Sequence, residues 1–505
     1  MLFLHLHFCF SITAAACIQK EREALLQFKN SFYKDPSHRL ASWNNGTDCC
    51  NWKGVGCSQI TGHVTIIDLR YDYQVNFYDD SSPLYSNNSI DSNWLEKFKN
   101  LKSLNLDNSS IHGPIPNWLG NLSSLEHLHL SDNALTGAIP TSFGRLLNLR
   151  ALDLSKNRLE GGNLSYIQQL YLRNNNFEGS MPIVLKNSHI LDTLDLEGNK
   201  FSGNIPTWAG NNLRNLQLLI LRGNLFNGTI PSTLCKLTRL QLLDLAHNQL
   251  EGSIPPNLSN FNVMTGKVNY GNYFFCRSSL LCGGGDTKYL VQHIKSRDLN
   301  YSVMQLKEFL VNIDLSGNHL VGSIPSEIIL LKGLFGLNLS HNNLTGTIPA
   351  EIGEMGVLES LDLSFNQLSG SIPRSISKLS KLGVLILSHN NLSGKIPREG
   401  HLSTFNEASS FDDNPYLCGD PLPTKCAIEN SSEPPLKKID NVDQEEDKWE
   451  KWLLYIMIIL GYIIGFWGVV GSLILKKSWR YKYFKFVEDA SYKVHAATGR
   501  SIQFL

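Results

Sequence analysis

An α/β solenoid, a curved stack of short strands capped at each end and followed by one membrane-crossing helix, is the fold class that three features of the sequence predict. The first is a period. Four 24-residue segments begin at Leu310, Leu334, Leu358 and Leu382 and run to Phe405 without a slip, each close to L-x-x-L-x-L-S-x-N-x-L-x-G-x-I-P. The second is cysteine placement: Cys17, Cys49, Cys50 and Cys57 precede the repeats, and Cys418 and Cys426 follow them. The third is an uncharged run of 23 residues from Leu453 to Leu475.

Self-similarity at this period identifies a leucine-rich-repeat solenoid. In the third unit Leu358, Leu361 and Leu363 point inward from a short strand while the residues between them point out. One unit cannot bury that face alone, and stacking makes a continuous core. Asparagine recurs at 133, 157, 199, 224, 248, 318, 342, 366 and 390. A side-chain amide has the donors and the acceptor to satisfy backbone where the chain leaves its strand, so these residues read as an internal ladder. The Gly-x-Ile-Pro step (Gly346 to Pro349, Gly370 to Pro373) joins a permissive glycine to a proline that ends local pairing.

Upstream the pattern runs from Leu101, Leu125, Leu191, Leu216 and Leu240, less regularly. Ser109 stands where the first clear unit should have its asparagine, and the unit from Leu149 has only 18 residues before Ile167 resumes the register. With a ragged first unit near Val64 there are about twelve repeats, which at a strand spacing of about 4.8 Å span roughly 55 Å. An array of this kind offers a surface rather than a closed pocket, which favours binding over catalysis.

The chain opens with an apolar run ending in Ala14, Ala15 and Ala16, as a signal peptide over 1–16 would. Secretion is also implied by twelve N-x-Ser/Thr sequons at Asn45, Asn87, Asn108, Asn121, Asn163, Asn227, Asn257, Asn300, Asn338, Asn343, Asn391 and Asn430. All of them precede the apolar run, as in a glycosylated ectodomain. That run is long enough to cross a bilayer. Trp449 and Trp452 flank one side of it and Trp479 and Tyr481 the other. Lys476, Lys477, Arg480, Lys482 and Lys485 follow it, against Lys448 and Lys451 before, which puts the C-terminus in the cytoplasm. The expected result is a single-pass type I protein of the plasma membrane. With 45 basic and 45 acidic residues the net charge is zero, and no basic patch suggests nucleic acid.

Neighbouring Cys49 and Cys50 are unsuited to bond each other, which favours Cys17–Cys49 with Cys50–Cys57 in an N-terminal cap over 17–63. A zinc reading of these cysteines needs a reducing compartment. Glu21 to Phe32 looks helical, with Ala24, Leu25, Phe28 and Phe32 on one stripe. Repeats over 64–263 give way to an insertion at 264–309, too long to be a plain spacer. Four regular repeats then occupy 310–405, a second cysteine cap 406–426, and an acidic stalk 427–452. The span covers 453–475 and the tail 476–505, which holds none of the kinase motifs.

The cap CIQKEREALLQFKNSF…LASWNNGTDCCNWKGVGC, the L-x-G-x-I-P repeats, the interruption, NPYLCGDPLPTKC and a tail beginning WRYKYF together resemble plant receptor-like proteins. Within that family the chain is most similar to the receptors for fungal ethylene-inducing xylanase. The resemblance covers nearly the whole chain. It implies the plant-type solenoid and a non-enzymatic surface receptor that binds a microbial protein or peptide elicitor. It also implies signalling through a leucine-rich-repeat receptor kinase as co-receptor, with no cofactor and no metal. The family's interruption takes part in binding, which here nominates Lys295, Arg297 and Tyr301. The chain departs from the family in having about twelve repeats rather than twenty or more. It also lacks the family's cysteine near Asn257, which leaves Cys235 without an obvious partner.

Other ligand candidates are the outward strand positions His127, His129, Asp153, Asp195, Asp244, Asp314 and Asp362, read as free of packing duty. The plainer reading of the aspartates, which recur in L-D-L, is solubility and edge protection. Cys276 and Cys282 either staple the insertion or release one of the two to Cys235. Gly461 and Gly465 in the span would let a partner helix approach closely, although glycine is common in such helices. Gly283 to Gly285 form no phosphate loop, since no Gly-Lys-Ser/Thr follows. No His/Cys/Asp constellation points to catalysis. A developmental peptide co-receptor and an inhibitor of microbial wall-degrading enzymes are the rival readings.

Overall fold

In every unit after the first, a three-residue strand centred on the first apolar residue of the L-x-L core forms, and the computed structural model stacks these strands with the five-residue Val64–Asp68 into one sheet. It describes residues 15–35, 38–70, 85–86, 97–162, 167–267, 289–294, 297–302 and 311–426. The main sheet has thirteen strands. Its first, Val55–Cys57, pairs antiparallel with Val64–Asp68, and every later pair is parallel. The register sets leucine on leucine: Leu104, Leu128, Leu152, Leu170 and Leu194 lie directly across from one another and are buried.

The helical share of the repeat is smaller than an α/β reading implies. The described residues hold two α-helices, Gln19–Lys29 and Thr207–Asn212; elsewhere the convex side carries five-residue 3-10 turns such as Thr141–Arg145, Ser232–Lys236 and Arg374–Lys378. Each of these turns begins just after a proline (Pro140, Pro231, Pro373). About five residues separate the Ile-Pro step from the next buried leucine. That is too few to repay an α-helical nucleus, while a 3-10 turn closes with i→i+3 bonds. Phe143 N donates to Pro140 O at 3.1 Å and Leu146 N to Phe143 O at 3.0 Å. Between strand and turn, Gly346 sits at φ 77°, where any Cβ would be strained and would lie 3.3 Å from Ser323 Cβ.

Asparagine ties one unit to the next. Asn366 Nδ2 donates to the carbonyls of Leu339 (3.0 Å), Leu363 (3.2 Å) and Ser364 (3.1 Å), and its Oδ1 accepts from Leu344 N (3.0 Å). The same set recurs at Asn157, Asn199, Asn224, Asn248, Asn318, Asn342 and Asn390. Two further rungs stand outside the nine named from the sequence: Asn175, 18 residues after Asn157 and 24 before Asn199, and Asn414, 24 after Asn390. Asn175 serves the 18-residue unit, and Asn414 lies within the C-terminal cap. Ser109, in the asparagine's place, is fully buried and takes its backbone bond from the next rung: Ser109 N and Ile111 N both donate to Asn133 Oδ1.

The ladder passes the insertion without a gap. Strand Leu242–Asp244 pairs directly with Asn312–Asp314; Asn318 Nδ2 donates to Leu245 O and its Oδ1 accepts from Leu250 N, both at 3.0 Å. Within the insertion Tyr289–Ile294 and Arg297–Ser302 form an antiparallel hairpin.

At the N-terminal end the helix stops at Lys29 rather than running on to Phe32. Ser31 Oγ donates to Phe28 O, and Phe32 begins a short strand while its ring meets Phe28 edge-on at 4.9 Å. Ala24, Leu25 and Phe28 are buried, beside a stacked Trp43–Trp52 pair at 5.5 Å. Buried Glu21 locks this cap to the first repeat by accepting from Val64 N at 2.7 Å. Cys17–Cys49, Cys50–Cys57 and Cys418–Cys426 are disulfides. Cys235 is a free thiol packed in the core, and burial pushes its pKa up to about 11, so it stays protonated and inert.

Asn366→Ala would leave four buried backbone groups without their partner. Each such loss costs about 1–3 kcal/mol before relaxation. The variant is expected to lose on the order of 3 kcal/mol or more, read as a lower urea midpoint of the purified chain.

Candidate ligand-binding face

The outward residues of the main sheet line the concave side of the stack. Those nearest the strand ends form a second ladder, running Asn105, His129, Asp153, Tyr171, Asp195, Ile220, Asp244, Asp314, Asn338, Asp362 and Ile386 in register. Six of the candidate residues stand here, and His127 lies two positions before His129 on the same face.

The freedom from packing that the sequence suggested for them does not hold. His129, Asp153, Asp195, Asp244 and Asp314 are buried, and His127 and Asp362 are half-buried. The aspartates close the turn that follows each strand. Asp153 Oδ1 accepts from Ser155 N (2.9 Å) and Ser155 Oγ (2.6 Å), and Asp314 and Asp362 hold Ser316 and Ser364 in the same way. Asp195 takes Glu197 N and Asp244 takes Ala246 N. A carboxylate that accepts the backbone amide two residues on makes an Asx turn, a local structural duty that the strand pattern alone does not display.

Remaining carboxylate oxygens reach across repeats. Arg222 Nη1 is 3.0 Å from Asp314 Oδ2 and 3.8 Å from Asp244 Oδ1, and Arg173 lies 3.5 Å from Glu197. Burial, followed by the repulsion of Asp314, holds the Asp244 carboxyl well above the ordinary range, against the pull of Arg222. The two carboxylates in turn raise the pKa of Arg222, against its own desolvation. The mid-array face is therefore a charged network whose arginines are engaged by carboxylates of the chain itself.

An exposed feature lies on the last repeats, where the sequence reading nominated only Asp362. His341, Phe365 and His389 each precede a ladder asparagine, and all take left-handed backbone (φ 52°, 52° and 56°). Their rings stack, with centroids 4.1 Å and 3.8 Å apart and planes within 20°. His389 Nε2 lies 2.8 Å from Asp413 Oδ2, and Phe365 is 41% exposed. A bulky residue at positive φ is costly and persists only where its surroundings impose it. The signal was available in the sequence as aromatic rings at a strict 24-residue interval just before asparagine.

The remaining candidates divide by position. Arg297 stands across the hairpin from Ile294, and Tyr301 across from Leu290. Lys295, Cys276, Cys282, Gly461 and Gly465 lie outside the described residues, as does the whole predicted span 453–475. No helix among the described residues is long and apolar enough to cross a membrane. Of the sequons, Asn45, Asn121, Asn227, Asn257, Asn343 and Asn391 are exposed, and Asn108 and Asn338 half-buried. Asn338 spends its Oδ1 on Ser340 N and Oγ. Nothing is described of the side chains of Asn87, Asn163, Asn300 and Asn430.

The family model for the leucine rich repeat N-terminal domain matches residues 18–58, and leucine rich repeat models match 88–159, 191–212, 215–237, 239–261 and 309–368. Receptor-like protein EIX2 of Solanum lycopersicum is 39% identical over 129 residues, which cover 21% of this chain and 12% of that protein. The chain is a leucine-rich-repeat protein, and over these stretches it is similar to plant receptor-like proteins. Receptor-like protein 48 of Arabidopsis thaliana is 36% identical over 125 residues, 22% of this chain and 14% of that one. Receptor-like protein EIX1 of Solanum lycopersicum is 42% identical over 73 residues, 14% and 7%. The matched stretches thus span under a sixth of these relatives' length. Among solved structures, that of a TDR receptor is similar with a TM-score of 0.51 at 25% identity, covering 66% of this chain and 51% of that one.

Burial, above all, raises the Asp362 carboxyl above its ordinary value, against the Ser364 hydroxyl and amide that favour its charged form. A carboxyl raised on folding destabilises when ionised, so its penalty is absent below the unfolded value near 3.8 and grows as pH climbs through the folded value. Asp362→Asn keeps the turn, as Asn338 does in the preceding repeat. The variant is expected to match the wild type near pH 3.5 and to equal or exceed its melting temperature at pH 7, giving a flatter melting profile between the two.

Proposed function

We propose that this chain is a cell-surface receptor of plant innate immunity. It binds an extracellular microbial protein or peptide elicitor through the concave face and the insertion, and it signals through a leucine-rich-repeat receptor kinase. The observation that carries the reading is the unbroken parallel face, continuous past an insertion that contains an antiparallel strand pair, in a chain similar to tomato and Arabidopsis receptor-like proteins. A face whose strands and turns are already hydrogen-bonded is preorganised for a ligand, which acts by its differential affinity for the assembled complex.

The rest of the proposed architecture follows from the sequence. A signal peptide over 1–16 precedes a glycosylated ectodomain, residues 453–475 cross the plasma membrane once, and Gly461 and Gly465 offer the partner helix a close approach. The exposed His341–Phe365–His389 stack beside the C-terminal cap is a surface for the partner, since aromatic rings are enriched in interface cores.

The test is expression of the full-length chain in leaves that lack a response, with purified fungal xylanase and crude microbial extracts applied in turn. The expected result is an oxidative burst that is lost when residues 264–309 are deleted while surface expression is kept. Silence toward every extract, with the protein at the surface, would overturn the elicitor reading and favour a developmental co-receptor.

A further inference from the structure

Ahead of the insertion, the convex side of the stack gathers cations that lie far apart in the sequence. The turns Thr141–Arg145, Ile183–Asn187, Thr207–Asn212 and Ser232–Lys236 follow one another along it, the last three in consecutive units. Each brings one cation on or just after the turn: Arg145, Lys186, Arg214 and Lys236, all exposed. Residues 141–151, 182–191, 206–217 and 231–241 hold no aspartate or glutamate. We propose that this stripe binds a linear acidic polysaccharide, a chain of uronic-acid sugars with one carboxylate on each ring.

What orders these cations leaves their charge in place. Lys236 Nζ donates to Asn211 Oδ1 of the neighbouring turn at 2.9 Å, and Arg214 Nε donates to Asn211 O at 2.9 Å. Both acceptors are neutral amide oxygens, which orient a cation without cancelling it. Among the described residues no carboxylate pairs with Arg145, Lys186, Arg214 or Lys236. Cations on either side of the stripe are placed differently. Lys102 and Arg150 lie 3.0 Å and 4.0 Å from Glu126, and Lys332 lies 3.1 Å from Glu354, a carboxylate that Lys378 of the following turn also holds in its charged form. None of the twelve sequons falls on the four turns, so no glycan is attached to the stripe itself.

The shape of the patch selects the class of ligand. A row of cations on a convex surface offers no desolvated pocket in which a protein partner would seat an anchor residue. A linear polyanion needs none, since it binds through charges met one after another and the release of its counterions. The row covers four strand steps, roughly 19 Å at about 4.8 Å each, so a chain lying along the solenoid axis meets all four cations. Leu147, Ile183 and Ile190 stand exposed on the same turns and the segments that follow them, as apolar contacts for the C–H faces of sugar rings. The inference rests on the extracellular placement proposed above, where a plant surface protein meets wall polysaccharide.

The test uses the full-length chain purified in mild detergent, with polygalacturonate as the probe and retention on the immobilised polymer followed as salt is raised. The wild type is expected to bind at low salt and to be released as salt rises. Combining Arg145→Gln, Lys186→Gln, Arg214→Gln and Lys236→Gln is expected to weaken binding at least about tenfold and to flatten its salt dependence. Combining Lys332→Gln, Arg374→Gln, Lys378→Gln and Lys381→Gln removes the same charge from the turns around Glu354 and is expected to change binding less than about twofold. Urea midpoints establish that both variants are folded. No retention of the wild type at low salt, or equal retention of the wild type and the folded stripe variant, would overturn the proposal. Binding of polyglutamate in place of polygalacturonate would also overturn it and assign the stripe to an acidic protein segment. The assay contains no elicitor, so its failure leaves the receptor reading standing, and silence in the leaf assay leaves the stripe standing.

Discussion

Eleven asparagine side chains, nine of them buried and two (Asn133 and Asn175) half-buried, hold the described solenoid in register, and nearly everything else depends on them. Where a strand ends and the chain turns toward the convex side, three carbonyls lose their regular partners. One amide nitrogen takes all three, while its oxygen takes an amide from the preceding unit, as at Asn342 and Asn390. Burying those groups unpaired would cost several kcal/mol in each repeat. The leucines supply the drive to stack, but leucine packing is not directional; the asparagine fixes how far each unit is displaced from the last.

A fixed displacement gives the concave face its properties. Parallel strands at constant register bring like positions into rows, so aspartates, histidines or aromatic rings separated by 24 residues become neighbours. Arg222 spans to Asp314, 92 residues away, because the insertion leaves the row intact. His341, Phe365 and His389 stack for the same reason, and the ladder pays the left-handed strain of the phenylalanine.

Much of this was legible in the sequence, because a repeat states its own period. The strand positions, the leucine core, nine of the eleven rungs and the three disulfides follow from spacing and compartment. Asn175 escaped because its unit is six residues short, and Asn414 because it sits in a cap that lacks the rest of the motif. The exposure of the concave aspartates was misjudged for a different reason. Alternation tells which way a side chain points, but not whether its own turn will claim it, and Asp153, Asp314 and Asp362 are all claimed by the serine two residues on. The 3-10 turns replaced α-helix because the segment length, not residue propensity, decides which helix can close.

The functional reading requires a single face, rigid through the point where the chain is interrupted. Hydrogen exchange of the intact protein tests that most directly, at the amides bonded to ladder oxygens on either side of the insertion: Phe226 and Leu250 before it, Leu320 and Leu344 after it. One cooperative solenoid predicts that these four amides share the slowest exchange and lose protection together as urea is raised. If Phe226 and Leu250 open in one step and Leu320 and Leu344 in another, the array is two separate halves. The account of one continuous binding face would then be wrong.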